Sequence, residues 1–361
     1  MNFTADVIRE QIITILGAWK MKPELAEITA DIMVDTDLAG IDSHGISMLT
    51  LYEEKLLAGK LQLQAKPRVV RENAVTALID AGAGLGHPAA VMGARLAADK
   101  AAANGLGGVG VTNSHHFGPA GYYAKIMSDR GFIGIATCQS RTVCVPPTRS
   151  SRRVFGTNPL AFAAPARRNP PFLLDMATAT VAANKVKIYA YKGKPLPAGW
   201  VLDENGKPIC DAALASEYVW NSDKGGGLSP LGGTAEMRSH KGYGLSMMVQ
   251  ILGSTLVGGS FAAIDEPSGR LEKRDNIGHF FLAIDPKCFR PAGEFECDLD
   301  EMIDYLHAQP PINPEEPVLV PGDPELQSRE QRSKEGVPLS AALVEKIRGI
   351  CERCGAPFLL C

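Results

Sequence analysis

The sequence predicts an α/β protein, with strands and helices layered in the middle of the chain and helical segments at both ends. Three observations carry this. Residues 5–60 hold their apolar side chains at helical spacing, the period shifts to that of short strands from about residue 68, and strand–helix–strand order follows. The 361 residues, 45% apolar and 21% charged, supply a full core and, by length, about two domains. A formal net charge of −3 lacks the basic footprint of a nucleic-acid binder. No stretch approaches the roughly 20 apolar residues of a spanning helix. Asp6, Arg9 and Glu10 break the first apolar stretch, which therefore does not read as a signal-peptide core. Eight irregularly spaced cysteines in so long a chain read as reduced thiols, so the expected compartment is the cytoplasm.

Taken in order, the first helix carries Val7, Ile12, Ile15 and Leu16 on one face, and Pro23 opens a second whose stripe runs through Ile28, Ile32 and Val34 to Gly40. A third runs from Met48 to Leu57 and stops at Gly59. VVRENAVTALID reads as two short strands joined at Glu72 and Asn73. An Ala-rich helix with an Asn-Gly stop comes next, then the buried strands LGGVGVTN and FIGIATCQ. LAFAAPARRNPPFLLDMAT reads as two strands linked by a basic, Pro-rich turn, residues 240–257 as a Gly-punctuated helix, HFFLAID as a strand and EFECDLDEMIDYLHAQ as a helix. Residues 308–338, with Pro310, Pro311, Pro314, Pro317, Pro321 and Pro324, read as a surface excursion, and SAALVEKIRGICERCG as the closing helix. The expected division is a helical domain of residues 1–74 with 286–361, and an α/β domain of 75–285 that carries a mixed sheet.

The cluster Gly82, Gly84, Gly86 follows a strand and opens a helix, where a dinucleotide fingerprint would sit, but the sixth position is His87 and the next strand ends in Thr112 and Asn113 without an acidic residue. It reads as a tight turn rather than a Rossmann site. His44 stands beside Ser43 and Asp42; imidazole suits proton transfer near neutral pH and the hydroxyl can orient it, while a helix cap by Asp42 or Ser43 is the plainer reading. His115 and His116 follow a strand, as active-site residues of α/β sheets often do. As metal ligands they lack a nearby third donor, and a satisfied loop histidine is an equal reading. His240, Lys241, Gly242 and Gly244 open a helix, where amide groups and charge suit a phosphate. Cys351 and Cys354 have no second pair and read as structural, and Arg149, Arg152 and Arg153 as a solvated loop.

Five segments then appear in register: DSHGI at 42–46, NSHHFGPAGYYA at 113–124, FGTNPLAFAAP at 155–165, LDMAT at 174–178 and HKGYGLSMM at 240–248. Together they resemble the malate/L-lactate dehydrogenase family, whose members lack a Rossmann fold and include ureidoglycolate, sulfolactate and diketogulonate oxidoreductases and Δ1-piperideine-2-carboxylate reductases. The resemblance implies interconversion of a 2-hydroxy acid and a 2-oxo acid with NAD or NADP, in a homodimer with its own cofactor-binding fold. It implies His44 as acid/base, Ser43 as its partner, and His116 as a second histidine of catalysis or cofactor contact. It implies cofactor contacts at Ser140, Asp175, Met176, Ala177 and Lys241 with His240 beside them, further ones from Asn276 to His279, and substrate contacts at Thr157 and the adjoining Asn158. Many members have Arg where this chain has Met48, and a hydroxycarboxylate dehydrogenase B-like branch shares the Met. Arg141 is then the first candidate to grip the substrate carboxylate. Asn184 replaces the usual glycine before Lys185. The alternatives are a cyclic imine carboxylate reductase and, in another class, a metal-dependent hydrolase or lyase built on His115 and His116.

Overall fold

The computed structural model describes residues 1–220, 223–271 and 275–361, which form two compact units. One comprises Met1–Ala136, Ala161–Leu174 and Phe281–Cys361; the other comprises Thr137–Leu160 and Asp175–Phe280.

In the first unit, Thr4 caps the helix Ala5–Ala18 by accepting the Val7 amide, and Pro23 starts the helix Pro23–Leu38 where no amide donor is needed. After a 3₁₀ turn, Ile46–Met48, comes the helix Leu49–Leu57. Ile8, Ile12, Ile15 and Leu16 bury completely in one apolar cluster with Val344, Ile347, Ile350 and Cys351 of the helix Ala341–Cys354, which Ser340 caps. Gln11 sits inside this cluster. Its Nε2 donates to the Pro357 carbonyl at 3.1 Å and to Cys351 Sγ at 3.3 Å, while its Oε1 accepts the Leu359 amide at 2.6 Å. Cys351 is therefore a core side chain, as the sequence reading expects.

Seven strands make one mixed sheet: β1 (Arg68–Glu72), β2 (Thr76–Asp80), β3 (Leu106–Ser114), β4 (Ile133–Cys138), β5 (Leu160–Ala164), β6 (Phe172–Met176) and β7 (Ile277–Ile284), in the order β1-β2-β3-β7-β4-β5-β6. The pair β1/β2 is antiparallel; β2/β3 is parallel, joined by the helix Gly86–Asn104, which Gly105 ends in the left-handed conformation.

The second unit packs the helices Ala183–Tyr191 and Ala212–Trp220 over Cys144, Val145, Phe155, Val201 and Leu228. Its helix His240–Gln250 continues as a π-helical turn, Ile251–Thr255. Ala183–Tyr191, Ala212–Trp220 and Ala120–Ser128 are not among the helices read from the sequence, although Leu49–Leu57, also nine residues long, is.

Two expectations are corrected. The excursion at 308–338 contains a thirteen-residue helix, Asp323–Glu335, with no buried residue. A helix polar all round has no periodic stripe to read. Its signals are Pro324 in the first turn, acids at its start and Arg332 and Lys334 at its end, and it is held by ion pairs of Arg329 with Asp35 and Arg332 with Asp42. Arg153, expected in solvent, donates to the carbonyls of Tyr218, Val219 and Lys224 and so closes the end of the helix Ala212–Trp220. Among the described residues no helix is long and apolar enough to cross a membrane.

Replacing Gln11 by Ala removes the partner of the Leu359 amide and of the Pro357 carbonyl and leaves a gap where a fully buried side chain stood. The expected loss is about 2 kcal/mol, from the lost hydrogen bonds and the gap together. It should read as a lower denaturation midpoint at unchanged slope; an unaltered midpoint would refute this role.

Candidate active site

In the first unit, three imidazoles and a phenol come together although they lie far apart in sequence. Ser43 Oγ stands 2.7 Å from His44 Nδ1, and the rings of His44 and His116 lie 5.3 Å apart. The phenol of Tyr52, fully buried on the helix Leu49–Leu57, donates to His116 Nδ1 at 2.8 Å, and the Gly118 amide points at the same nitrogen from 3.4 Å. Two donors on Nδ1 assign the proton of a neutral His116 to Nε2. Burial pushes the Tyr52 phenol far above its usual range, so it remains a donor.

His87, in the first turn of the helix Gly86–Asn104, completes the group, its ring edge-on to Tyr52 at 5.9 Å and to His116 at 6.4 Å. It is fully buried, and neither ring nitrogen has a hydrogen-bond partner among the described residues. Burial, with the neighbouring His44 adding to it, pushes its pKa down to about 3. His44 keeps an exposed edge, yet the packing around its ring pushes it down to about 4. Each is therefore neutral at neutral pH.

The glycine cluster serves this group. The Gly86 amide donates to the His116 carbonyl at 3.0 Å, and a Cβ built at position 86 would overlap the His115 carbonyl. His115 itself turns away: its Nε2 donates to the Lys60 carbonyl at 2.9 Å, the satisfied loop histidine. Among the described residues no three His, Cys, Asp or Glu side chains come together as a metal site. Met48 is half-buried and packs against the helical core. Asp42, rather than capping beside His44, is exposed and pairs with Arg332.

In the second unit, Asn158 holds two motifs in place. It is fully buried; its Oδ1 accepts the Ser140 amide at 2.9 Å, and its Nδ2 donates to the Ser246 carbonyl at 3.0 Å and to Gln250 Oε1 at 3.3 Å. Expected as a substrate contact, it instead commits both ends of its amide inside the protein. The Thr157 carbonyl accepts both the amide and the hydroxyl of Thr178, which anchors Asp175, Met176 and Ala177 beside it. Arg141, expected to be open to a substrate carboxylate, is engaged by Glu266 at 3.3 Å and by the buried Asp275 at 3.6 Å. His279 is buried in β7, and the Asn276 side chain donates to the Gly258 carbonyl. His240 and Lys241 are exposed in the first turn of the helix His240–Gln250. The Lys241 cation at that positive end of a helix is unfavourable on its own, so the turn is favourable to an anion.

The family model for malate/L-lactate dehydrogenase matches residues 3–348. The chain belongs to the malate/L-lactate dehydrogenase family. It is 38% identical over 349 residues to a malate dehydrogenase of Pyrococcus horikoshii, covering 96% of this chain and 94% of that one. It is 30% identical over 361 residues to hydroxycarboxylate dehydrogenase B of Escherichia coli, covering 99% and 95%. The solved malate dehydrogenase of Entamoeba histolytica superposes with a TM-score of 0.92 at 31% identity, covering 99% of each chain. Family membership brings the expected oxidoreductase class and agrees with the five motifs. Tyr52 and His87 escape sequence reasoning, since their importance rests on contacts with residues that only folding brings near.

The histidine cluster dictates an acid response. The unfolded chain protonates His87 near its ordinary 6.5 and the fold resists until about 3. The contribution is thus full above pH 6.5 and is lost as pH falls through that window. Between pH 6.5 and 4.5, His87→Gln should lose about 2 kcal/mol less stability than the parent. Parallel stability–pH curves for the two proteins would contradict the burial of a neutral ring.

Proposed function

We propose that the protein interconverts a 2-hydroxy acid and a 2-oxo acid with NAD or NADP, and that His44 moves the proton. The observation carrying this reading is the neutral, desolvated His44 ring, hydrogen-bonded to Ser43 through Nδ1 and facing His116. When Nδ1–H is donated to Ser43 Oγ, the lone pair on Nε2 is the base, and the Ser43 hydrogen bond orients the ring. A ring neutral at pH 7 takes the hydroxyl proton during oxidation. In the opposite direction it must first be charged, and the carboxylate of a bound oxo acid favours that by opposing charge. His116, its Nδ1 occupied by Tyr52, offers an Nε2–H to an anionic oxygen. A bound nicotinamide cofactor supplies or accepts the hydride.

The residues of the second unit fit such a cofactor. Ser140, Asp175, Met176 and Ala177 are half-buried and held by the Asn158 and Thr157 hydrogen bonds, and Lys241 offers a cation, with His240 beside it and a helix start, to phosphate. The glycine cluster is not part of this reading: Gly86 packs on the loop of His115 and His116, and Gly82 and Gly84 face residues 62–65. Met48 cannot bind an anion, and Arg141 would have to exchange Glu266, which is mostly exposed, for the substrate carboxylate. Met247, Met248, Ile251 and Leu256 expose apolar surface on one stretch of helix, which supports a homodimer. Eight free thiols suit a reducing cytoplasm.

His44→Gln should lower kcat by about 10²–10⁴-fold, the usual contribution of a positioned acid/base, while a fluorescence titration finds nicotinamide binding unchanged; a variant at half the parental rate would overturn the assignment. In a panel of pyruvate, oxaloacetate and phenylpyruvate, each with NADH and NADPH, the apolar Met48 should favour phenylpyruvate. Clear preference for oxaloacetate would count against that role for Met48.

A further inference from the structure

Asp37 lies near the end of the helix Pro23–Leu38 with its side chain only 1% exposed. Its carboxylate reaches forward to the turn that carries Ser43 and His44. Oδ2 accepts the Ile46 amide at 2.8 Å, and a Cβ built on Gly45 would overlap both carboxylate oxygens. Gly45 has φ −90°, outside the left-handed region, so the position needs a glycine for space. The rest of the turn is held by its backbone: the His44 amide donates to the Ile41 carbonyl at 2.9 Å and the Met48 amide to the Gly45 carbonyl at 3.0 Å. From outside, Arg332 donates to the Asp37 carbonyl at 2.7 Å and pairs with the Asp42 carboxylate. Arg332 thus ties the end of the helix at Asp37 to Asp42, two residues before the histidine.

We infer that Asp37 is a positioning residue, whose carboxylate, seated where a side chain at position 45 would stand and bonded to the Ile46 amide, sets the direction of the His44 ring. The inference rests on the reading of His44 as the acid/base. Burial pushes the Asp37 carboxyl up to about 7, with Asp42 adding to this while the Ile46 amide and Arg332 oppose it. Ionised or protonated, the group keeps an oxygen that accepts the Ile46 amide, so asparagine can replace it in this role. Displacing a catalytic group by about 1 Å costs on the order of 10²-fold in rate.

The test combines Asp37→Ala, Asp37→Asn, Gly45→Ala and the double variant Asp37→Ala/Gly45→Ala, with His44→Gln in parallel. Turnover is measured with the best oxo acid among pyruvate, oxaloacetate and phenylpyruvate, and the His44 ring is titrated by NMR. Asp37→Ala should lower kcat by about 10²-fold, leave cofactor KM unchanged and move the His44 midpoint from about 4 towards 6.5. Asp37→Asn should restore both near the parental values. Gly45→Ala should be severe alone yet add little in the Asp37→Ala background, where the space is open. If Asp37→Ala does not fold, Gly45→Ala and Asp37→Asn carry the comparison. Equal damage from Gly45→Ala in both backgrounds, or a folded Asp37→Ala with parental kcat and midpoint, overturns the inference. Should His44→Gln retain turnover while the midpoint moves as stated, the acid/base reading falls and the positioning stands.

Discussion

The hydrogen bond from the Ile46 amide to the buried carboxylate of Asp37 is the contact around which the histidine group is organised. A charged acceptor out of water is costly unless its oxygens are met, and here the backbone of the turn meets it. The turn gains a fixed shape and the carboxylate gains a partner. Because Gly45 has no side chain, the two approach more closely than any other residue would allow. Everything next to that turn inherits its position: Ser43 against His44, and His44 against the ring of His116.

The same physics recurs in the second unit with a neutral group. Asn158 is as buried as Asp37 and uses each of its polar atoms on a neighbouring segment, linking the Ser140 loop to the helix His240–Gln250. In both cases a buried polar side chain is a strut, and Ser140 and His44, which stand on the segments it holds, are left partly open to solvent. Desolvation then sets the protonation states, holding His44 and His87 neutral and the Tyr52 phenol protonated.

Legibility in the sequence follows from locality. Helices with an apolar stripe, such as Ala5–Ala18 and Ala341–Cys354, and strands bounded by turn residues are readable because their signal lies within one segment. The charged helix Asp323–Glu335 has no such stripe and is held by partners nearly 300 residues away, such as the 294 that separate Arg329 from Asp35. His44 and His116 are legible as chemical types, and their motifs point to the family. Tyr52 is not, because its value is a bond to a residue 64 positions on. Arg141 and Asn158 show the converse: residue type says what a side chain can bind, and only the fold says that Arg141 already meets Glu266 and Asp275 and Asn158 already meets Ser140, Ser246 and Gln250.

The contact between Gln11 and Cys351 joins residues 340 positions apart. Ile8, Ile12 and Ile15 meet the neighbouring helix Pro23–Leu38 early, but the part of their cluster that Ala341–Cys354 supplies closes only when that much later segment has been made. Such late closure makes for slow, long-range assembly. It also means that trimming the last turns of the chain would remove a wall of the first-made core, leaving nascent protein dependent on whatever shields apolar surface in the cell.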